Sequence, residues 1–349
     1  MTVNVVVVGT GGIAQQHGKA LVRNEEATII GAIDVDRAKA ASFVASFEGE
    51  VYETLTDCLD EADAVYILTP PSFRRQYAIE AIESGKHVFC EKPLAIAPED
   101  GKAIAMAAQE HDVIAMTGFN MRYRLGYGKL KETVASGVLG APYHVWVHRF
   151  GMGAGGDGTL DQNNWRTDAD LCCGMTIESL SHDIDLIRWI MEDEVAQVCG
   201  RVHSTVAALP NFDNNAQALL TMRSGATALI NASWSSRIGT NARGVLGERG
   251  TAFVEGTDVG NNGIWCSTRF HLKTDADDFE RIEMLHDDLD VRSYQAEADD
   301  FIRAILTGGQ PLTSAWDGYE TLRISEAILV SSDTGEVIPG SIPLDGGYG

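Results

Sequence analysis

A chain of 349 residues, 44% of them hydrophobic, exceeds one ordinary domain of ~100–200 residues and predicts two. The formal net charge of −23 argues against nucleic acid or an anionic membrane surface as a partner, because both require clustered Lys and Arg side chains. The six cysteines form no Cys-x-x-Cys pair and no His/Cys metal spacing, so we expect no structural metal.

The chain opens with an apolar run over residues 5–8 that passes directly into glycines. No basic segment precedes this run, so it predicts a strand rather than a signal peptide. No apolar run in the sequence approaches the ~20 residues that cross a bilayer. We therefore expect a cytoplasmic protein without a membrane-spanning segment.

A glycine-rich turn follows this first strand. Residues 9–14 read Gly-Thr-Gly-Gly-Ile-Ala and open a helix predicted to run to about Arg23. In such a Gly-x-Gly-x-x-Ala pattern, Gly9 permits a tight turn, Gly11 lets a pyrophosphate approach the backbone and Ala14 allows close helix packing. The helix N-terminus supplies N–H groups and a partial positive charge for the phosphates. The pattern predicts a dinucleotide site; the alternative is a structural glycine turn.

An acidic residue ends the second predicted strand. This strand covers residues 28–33, and Asp34 follows it, 25 residues after Gly9. A carboxylate there can accept hydrogen bonds from both ribose hydroxyls and would repel a 2′-phosphate, so we expect NAD rather than NADP. Arg37 lies close enough in sequence to soften that preference.

Helices and strands alternate through the rest of the first half. The predicted helices cover residues 36–47, 73–84 and 98–110. The predicted strands cover residues 64–68, 88–90 and 113–117. Repeated alternation of this kind specifies a parallel, doubly wound sheet.

Glu91, Lys92 and Pro93 break the strand at residues 88–90 at its C-terminal end. In open α/β sheets, ligands bind outside the carboxyl ends of the strands. If the first half binds a dinucleotide, Lys92 is delivered to the reactive end of the cofactor. Its ammonium group would then hydrogen-bond the reacting oxygen and stabilise developing alkoxide charge.

A helix predicted over residues 175–192 carries two stripes. One stripe is apolar and packs, while the other holds Glu178, His182, Asp185 and Trp189 at i, i+4, i+7 and i+11. A histidine has an ordinary pKa of ~6.5, near working pH, so His182 is the candidate general base for a hydroxyl proton. Glu178 would orient the imidazole or bind a substrate hydroxyl. The alternative is a buried histidine in a structural network.

The second half otherwise contains a first strand over residues 142–150 and then short strand-like runs separated by Gly, Asn and Asp. These runs cover residues 196–205, 217–223, 227–235, 242–246, 252–255 and 263–266. They predict an antiparallel sheet. Residues 293–306 and 317–330 are predicted as amphipathic helices.

The motifs, in this order, resemble the glucose-fructose oxidoreductase/inositol dehydrogenase (Gfo/Idh/MocA) family. They are the glycine turn, Asp34, Thr69-Pro70, Gly85-Lys86-His87-Val88, Glu91-Lys92-Pro93, Gly118-Phe119-Asn120-x-Arg122 and residues 179–185. The resemblance implies an α/β fold with an N-terminal NAD(P)-binding Rossmann domain over residues 1–121. It further implies a C-terminal substrate-binding α/β domain over residues 122–349, whose open, mostly antiparallel sheet mediates homodimers or homotetramers.

Motif and resemblance together assign candidate site residues. The catalytic candidates are Lys92, His182 and Glu178. The cofactor candidates are Gly9, Gly11, Gly12, Ile13, Ala14, Asp34, Arg37, Thr69, Pro70, Glu91, Lys92, Asn120 and Arg122. The substrate candidates are Lys92, Tyr123, His148, Arg149, Trp165, His182 and Asp185. The chain departs from the family twice, with Arg74 where a histidine is frequent and Glu178 where an aspartate is usual.

Acids and hydrogen-bonding side chains around a candidate base suit a polyhydroxylated substrate. We expect an NAD-dependent dehydrogenase that acts on a secondary hydroxyl of a sugar, a cyclitol or a sugar derivative. One alternative is an NAD-dependent glycosidase that works by transient oxidation and elimination. Another is a non-catalytic NAD-binding sugar sensor, against which the presence of Lys92 and His182 weighs.

Overall fold

The computed structural model of the chain describes residues 2–153, 165–205, 212–258, 269–283 and 289–340. It divides into two compact units. Met1–Tyr123 and Asp290–Leu322 form the first unit, and Arg124–Leu289 and Arg323–Gly349 form the second. The predicted boundary after residue 121 lies close to the end of the first segment. The sequence did not predict that Asp290–Leu322 belongs with the first unit.

The first unit contains a parallel sheet with helices between its strands. Its elements are β1 Val3–Val8, α1 Gly12–Arg23, β2 Ala27–Ile33, α2 Arg37–Phe47, β3 Glu50–Val51, β4 Ala64–Ile67, α3 Pro71–Glu83, β5 His87–Glu91, α4 Pro98–Glu110 and β6 Ala115–Gly118. Among the described residues the strands have the order β3-β2-β1-β4-β5-β6, which confirms the predicted doubly wound sheet. The run of valines in β1 suits this central position because both faces of the strand are buried.

A helix from late in the chain completes the core of the first unit. In helix α9, Leu289–Thr307, the side chains of Phe301 and Ile302 join the core that contains Tyr66 and Phe89. The Tyr66 and Phe89 rings stack with centroids 4.5 Å apart, and Phe301 meets both of them edge-on. Burying a large apolar side chain stabilises a fold by about 1.5–3 kcal/mol, so this helix is an integral part of the unit.

The second unit is built on a mixed sheet. Its elements are α5 Leu125–Ala135, β7 Pro142–Met152, α6 Ala169–Cys172, α7 Met175–Glu178, α8 Leu180–Met191, β8 Val195–His203, β9 Asn215–Met222, β10 Thr227–Ser233, β11 Ser235–Gly247, β12 Gly250–Asp258, β13 Arg269–Thr274, β14 Glu280–Glu283 and β15 Ile338–Pro339. Helix α10, Ala315–Thr334, crosses the division between the units.

The strands described in the second unit have the order β14-β13-β12-β11-β7-β10-β9-β8-β15. Strands β7 and β10 pair in parallel, whereas the other described neighbours are antiparallel. The sheet is therefore open and mostly antiparallel, as predicted. The strand predicted over residues 263–266 lies outside the described residues.

One face of this sheet is buried and the other is partly open. Along β7 the buried Val145 and Val147 alternate with the half-buried His144, Trp146 and His148. On the buried face, α10 approaches β8 closely, because a Cβ atom at Gly200 would lie 2.6 Å from the carbonyl oxygen of Ile328. The alternation follows from the period of two in a strand.

Within the described ranges, no helix combines the length and the apolar character needed to span a membrane. The same ranges contain no group of three His, Cys, Asp or Glu side chains placed to hold a metal ion. Of the described cysteines, Cys58, Cys90 and Cys172 are buried, Cys173 is half-buried and Cys199 is exposed. Cys266 lies outside the described residues.

Candidate active site

The glycine turn joins β1 to α1 and requires glycine at its first position. Gly9 has φ +90°, a conformation that side chains with a Cβ atom rarely adopt. A Cβ atom at this position would also lie 2.8 Å from the backbone nitrogen of Thr69. Gly9 therefore lets β1 approach the turn that follows β4.

Gly11 and Gly12 are not explained by packing within the protein. Among the described residues, no atom outside the adjoining backbone lies within 4 Å of a Cβ atom built at either residue, so the space beside them is open. Helix α1 begins at Gly12 without an acidic residue in its first turn and without a side-chain cap on its N-terminus. Its first N–H groups and the positive end of its dipole are thus available to an anion, which fits the pyrophosphate of a dinucleotide.

The two residues after Gly12 fix the helix to the sheet. Ala14 is fully buried, and Ile13 packs against the same apolar core of the first unit. The small side chain at Ala14 permits the close approach of helix and sheet that the sequence pattern predicts.

Asp34 follows β2 and is held by the glycine turn itself. Its Oδ2 atom accepts hydrogen bonds from the backbone nitrogen and the hydroxyl of Thr10, at 2.7 and 2.9 Å. Its Oδ1 atom accepts from the backbone nitrogen of Asp36 at 2.9 Å. An ionised carboxylate offers about four lone-pair sites, so Asp34 is oriented by these bonds and keeps acceptor capacity for a ribose.

Arg37 lies at the start of α2 on the surface of the first unit. Its side chain is 67% exposed, and its Nη1 atom lies 3.2 Å from Oε1 of Glu53. The cation that the sequence placed near Asp34 thus has an acidic partner.

Lys92 follows directly after β5, and its backbone is bonded to the residue before it. The Glu91 Oε2 atom accepts a hydrogen bond from the Lys92 backbone nitrogen at 2.8 Å, and Glu91 Oε1 lies 3.1 Å from His17 Nε2. Burial raises the pKa of the Glu91 carboxyl, whereas the hydrogen bond to His17 and two nearby cations lower it, and the net pKa lies below the usual value. The sequence indicated Glu91 and Lys92, but not the contribution of His17.

The turn after β4 contains Thr69 and Pro70, both half-buried. The carbonyl oxygen of Thr69 accepts a hydrogen bond from Nε of the buried Arg74, at 2.9 Å. Arg74 stands where the family resemblance led us to expect a histidine. Its hydrogen bond to Thr69 gives the side chain a defined position in this turn.

A short 3-10 helix, Asn120–Tyr123, follows β6. Asn120 is buried, and the buried Arg122 donates to the carbonyl oxygen of Leu312 at 2.7 Å and to Asp317 Oδ1 at 3.0 Å. The Tyr123 hydroxyl donates to Asp300 at 2.7 Å. These bonds engage Arg122 and Tyr123 with the segment of the first unit that returns late in the chain.

In the second unit, the predicted helix over residues 175–192 is interrupted at Ser179, between α7 and α8. The Glu178 carbonyl accepts from the Ser181 hydroxyl at 3.1 Å, and the Ser179 carbonyl accepts from Nη1 of Arg149 at 3.0 Å. Side chains thus occupy the carbonyls that a continuous helix would use, which explains the break. The prediction that Glu178 and His182 lie on one regular helix is therefore wrong, because Glu178 ends α7 and His182 lies on α8.

Glu178 is buried and bonded to an arginine. Its Oε1 atom accepts from Nε of Arg166 at 3.1 Å, and the Arg166 guanidinium lies over the Trp165 ring, 4.5 Å from its centroid. Trp165 and Arg166 belong to a 3-10 helix, Trp165–Thr167. The structure thus links the candidate Trp165 to Glu178 through Arg166, which the sequence analysis did not select.

His182 and Asp185 lie in the first turns of α8. The His182 residue is 8% exposed and Asp185 is fully buried. The intervening Asp183 is also fully buried and binds two arginines, Arg149 through Oδ2 at 2.7 Å and Arg243 through Oδ1 at 2.7 Å. The pKa of Asp183 lies below its usual value, because the two guanidinium groups outweigh the opposing effect of burial.

The structure separates the two neighbouring candidates of β7. Arg149 is buried and binds Ser179 and Asp183, whereas His148 lies on the other face, with Nε2 3.1 Å from the Thr240 hydroxyl oxygen. Burial lowers the pKa of His148. Period-two alternation alone would have predicted this separation. It also places the Arg149 side chain in contact with Ser179 and Asp183, in the segment that carries Glu178 and His182.

The doubly wound sheet, the glycine turn and the oriented Asp34 define a dinucleotide-binding α/β protein. The model of the NAD-binding Rossmann domain of the Gfo/Idh/MocA oxidoreductases matches residues 3–119, and the model of their C-terminal domain matches residues 127–253. The chain belongs to the Gfo/Idh/MocA family of NAD-binding oxidoreductases.

Two inositol 2-dehydrogenases match nearly the whole chain, and a third curated relative matches part of it. Inositol 2-dehydrogenase of Serratia proteamaculans is 27% identical over 353 aligned residues, which cover 98% of each chain. Inositol 2-dehydrogenase 3 of Saccharopolyspora erythraea is 29% identical and covers 97% of this chain and 96% of its own. Glucose-6-phosphate 3-dehydrogenase of Bacillus subtilis is 32% identical over 142 residues, or 41% of each chain.

Solved structures share the fold. An oxidoreductase domain protein from Kribbella flavida superposes with a TM-score of 0.86 at 23% identity, over 98% of this chain and all of its own. Levoglucosan dehydrogenase in complex with NADH superposes with a TM-score of 0.87 at 19% identity, over the same shares of the two chains. At these identities, the likeness concerns the architecture of the chain.

Proposed function

We propose that this protein is an NAD-dependent dehydrogenase that transfers a hydride between nicotinamide and a secondary hydroxyl of a sugar, a cyclitol or a sugar derivative. The observation that carries the proposal is the similarity, over nearly the full length, to inositol 2-dehydrogenases. The position of Lys92 directly after β5, at the carboxyl edge of the sheet that also holds the glycine turn, supports it.

The proposed cofactor site uses the carboxyl edge of the first sheet. Gly9, Gly11 and Gly12 give the pyrophosphate access to the backbone and to the N-terminus of α1, where Ile13 and Ala14 secure the helix. Asp34 accepts hydrogen bonds from the ribose hydroxyls and disfavours NADP. The remaining proposed contacts to the cofactor come from Arg37, Thr69, Pro70, Glu91, Lys92, Asn120 and Arg122.

The proposed chemistry divides the work between two side chains. Bound NAD⁺ supplies the acceptor for the hydride. His182 removes the hydroxyl proton as the carbonyl forms, and the Lys92 ammonium hydrogen-bonds the reacting oxygen. Glu178, a buried acid that precedes His182 in the chain, orients the imidazole or binds a substrate hydroxyl. Its bond to Arg166 supports a fixed position for its carboxylate.

The proposed substrate contacts are Lys92, Tyr123, His148, Arg149, Trp165, His182 and Asp185. Among them, the bonds of Arg149 to Ser179 and Asp183 favour a supporting part, in which Arg149 holds the start of α8. Asp185 lies one turn after His182 on the same helix, where a carboxylate can hydrogen-bond a polyol.

We propose that the protein is a cytoplasmic homodimer or homotetramer that pairs through the open face of the nine-stranded sheet. Leu219 and Leu229 are exposed side by side on the paired strands β9 and β10 of that face, where solvent-exposed apolar side chains favour association. Size-exclusion chromatography with light scattering tests the assembly, and a monomer at micromolar concentration would contradict it.

The experiment that tests the function mixes the purified protein with NAD⁺ and a panel of inositols, hexoses, pentoses and sugar acids. NADH formation is followed by its near-ultraviolet absorbance, with NADP⁺ in parallel reactions. Substrate-dependent absorbance with NAD⁺ supports the dehydrogenase. The absence of NADH with every compound, together with measurable NAD⁺ binding, contradicts it and favours the transient-oxidation glycosidase or the sensor.

A further inference from the structure

Arg74 is a buried cation whose hydrogen bonds lead to the backbone around Lys92. It lies on α3 with 3% of its surface exposed. Its Nη1 atom donates to the carbonyl oxygen of Glu91 at 2.5 Å and to the carbonyl oxygen of Pro93. These two carbonyls belong to the residues immediately before and after Lys92.

The other bonds in this region complete the restraint on Lys92. The backbone nitrogen of Lys92 donates to the Glu91 carboxylate at 2.8 Å. Hydrogen bonds therefore hold the backbone before, at and after Lys92, whose side chain is half-buried. A catalytic ammonium group requires a backbone held in this way, because a displacement of the group by ~1 Å can lower the rate by ~10²-fold.

The same guanidinium also joins two turns at the carboxyl edge of the sheet. Its Nε atom donates to the Thr69 carbonyl in the turn after β4, while Nη1 serves the turn after β5. A planar guanidinium has five N–H donors in a rigid fork, so one side chain can satisfy three carbonyls at once. A lysine ammonium is a single point donor on a flexible stem and would not hold the same three positions.

We propose that Arg74 is a positioning residue for hydride transfer, which fixes Lys92 relative to the Thr69 turn by holding the carbonyls on both sides of the lysine. This inference rests on the proposed function, because it takes Lys92 as the group that binds the reacting oxygen. Arg74 itself does not touch the reacting atoms in this account.

The test is a double-mutant cycle that combines Arg74→Met with Lys92→Ala. The matched control is Arg75→Met, because Arg75 is the next residue of α3, is 54% exposed and pairs with Asp100 at 3.1 Å. Turnover is measured with NAD⁺ and the polyol that gives NADH in the panel above, and NAD⁺ binding is measured separately by protein fluorescence.

Arg74→Met is expected to lower kcat by ~10²-fold with little change in the Kd for NAD⁺, whereas Arg75→Met leaves both unchanged. In the Lys92→Ala background, Arg74→Met should cause little further loss, because its effect passes through Lys92. Equal losses in the two backgrounds would mean that Arg74 supports the fold in general, and would overturn the proposal.

Arg74→Lys replaces Arg74→Met in the cycle if the methionine variant does not fold, because the lysine retains the charge and a single donor. A smaller loss of kcat that again disappears without Lys92 supports the proposal. Failure of both variants to fold would assign Arg74 to stability alone and overturn the proposal.

A second readout does not depend on turnover. The rate at which Lys92 is acetylated by an N-hydroxysuccinimide ester is compared with that of the exposed Lys19 by mass spectrometry. Arg74→Met or Arg74→Lys should raise the Lys92 to Lys19 ratio, and Arg75→Met should not. An unchanged ratio overturns the positioning role. If Lys92→Ala alone retains full turnover, the proposed role of Lys92 in the dehydrogenase fails, and this ratio still decides whether Arg74 positions the lysine.

Discussion

His17 Nε2 lies 3.1 Å from Glu91 Oε1 in the interior of the first unit, and both side chains are buried. The pair joins helix α1, which carries the glycine turn, to the residue that precedes Lys92. The imidazole is enclosed by aromatic rings, with Phe89 at 5.0 Å and Tyr294 at 5.1 Å between ring centroids. The cofactor turn and the candidate catalytic lysine are thus linked through one buried contact.

Replacing His17 removes a hydrogen-bond partner from a buried carboxylate. His17→Ala should lower the free energy of unfolding by about 1.5–3 kcal/mol, the range for a hydrogen bond to a charged group. Lys19→Ala, at an exposed position of the same helix, is the control. Urea denaturation measures both variants, and equal midpoints for His17→Ala and the control would contradict this assignment.

Asp34 is expected to set the choice of cofactor. Asp34→Ser should reduce kcat/KM for NAD⁺ by ~10–100-fold, because charge-assisted hydrogen bonds contribute ~1.5–3 kcal/mol, and should lower the preference for NAD⁺ over NADP⁺. Adding Glu53→Gln to Asp34→Ser removes the acidic partner of Arg37 and should increase activity with NADP⁺ further.

Asp36→Ser is the control for Asp34, because serine preserves the N-cap of α2, where Asp36 accepts from the backbone nitrogen of Ala38. Steady-state kinetics with both cofactors measure the ratio of kcat/KM for NAD⁺ to kcat/KM for NADP⁺. A ratio of NAD⁺ to NADP⁺ activity that is the same in Asp34→Ser and in the wild type would exclude Asp34 as the discriminating residue.

The buried Asp183 carboxylate forms ion pairs with two buried arginines, Arg149 and Arg243. Asp183→Asn should lower the free energy of unfolding by about 3–5 kcal/mol, because it removes the buried carboxylate that both guanidinium groups bind. Glu132→Gln, an exposed acid of α5, is the control.

The pKa of Asp183 is lowered in the folded protein, so its contribution is present above the unfolded carboxyl pKa and is lost as the pH falls through the folded value. The difference in the free energy of unfolding between the wild type and Asp183→Asn should therefore become smaller as the pH falls. A difference in urea midpoint that is constant with pH would argue against the ion cluster as its cause.

The contribution of Asp213 to stability is expected to change with pH in the opposite direction to that of Asp183. Burial raises the pKa of Asp213 to about 6, although hydrogen bonds from Thr176 lower it in part. Because the folded protein binds this proton more tightly than the unfolded chain, whose pKa is ~3.9, stability falls as the pH rises from ~4 to ~6. Asp213→Asn should thus raise stability at neutral pH by up to about 3 kcal/mol, and the gain should vanish near pH ~4.

The control for Asp213 is Asp193→Asn, because the pKa of Asp193 is lowered by its bonds to Ser224 in spite of partial burial. Its effect on the melting temperature should have the opposite sign and should grow as the pH rises. If the change in melting temperature followed the same pH dependence in Asp213→Asn and Asp193→Asn, the raised pKa of Asp213 would be contradicted.

The sequence predicted the parallel sheet because each of its signals is local. The glycine turn, the apolar strand β1 and Asp34 lie within one βαβ segment, and their spacing suffices to place them. The break at Ser179 could not be predicted in this way, because it depends on Arg149, which comes from another strand. The partners of Asp183 are similarly distant, since Arg243 lies on β11. A helical period describes one element and contains no information about side chains that arrive from elsewhere.

The packing of α9 in the first unit could not be predicted for the same reason. Its amphipathic pattern predicted a helix over residues 293–306, but the pattern does not specify which core receives Phe301. By contrast, the burial of Arg149 and the opposite placement of His148 follow from strand alternation, a signal that was present in the sequence.

Lys92 and His182 carry the central claim. Lys92→Ala and His182→Ala should each lower turnover by ~10²–10⁴-fold, the range for loss of an acid-base group, with NAD⁺ binding retained. The exposed Lys19→Ala and His203→Ala are the matched controls and should keep wild-type turnover.

The most direct measurement follows the hydride itself. The active polyol of the panel is prepared with deuterium on its carbinol carbons and incubated with NAD⁺, and the NADH formed is analysed by mass spectrometry. The account predicts one deuterium in NADH with the wild type, formed at a rate reduced by ~10²–10⁴ in Lys92→Ala and in His182→Ala. NADH without deuterium, or equal rates in both variants and the wild type, would contradict it.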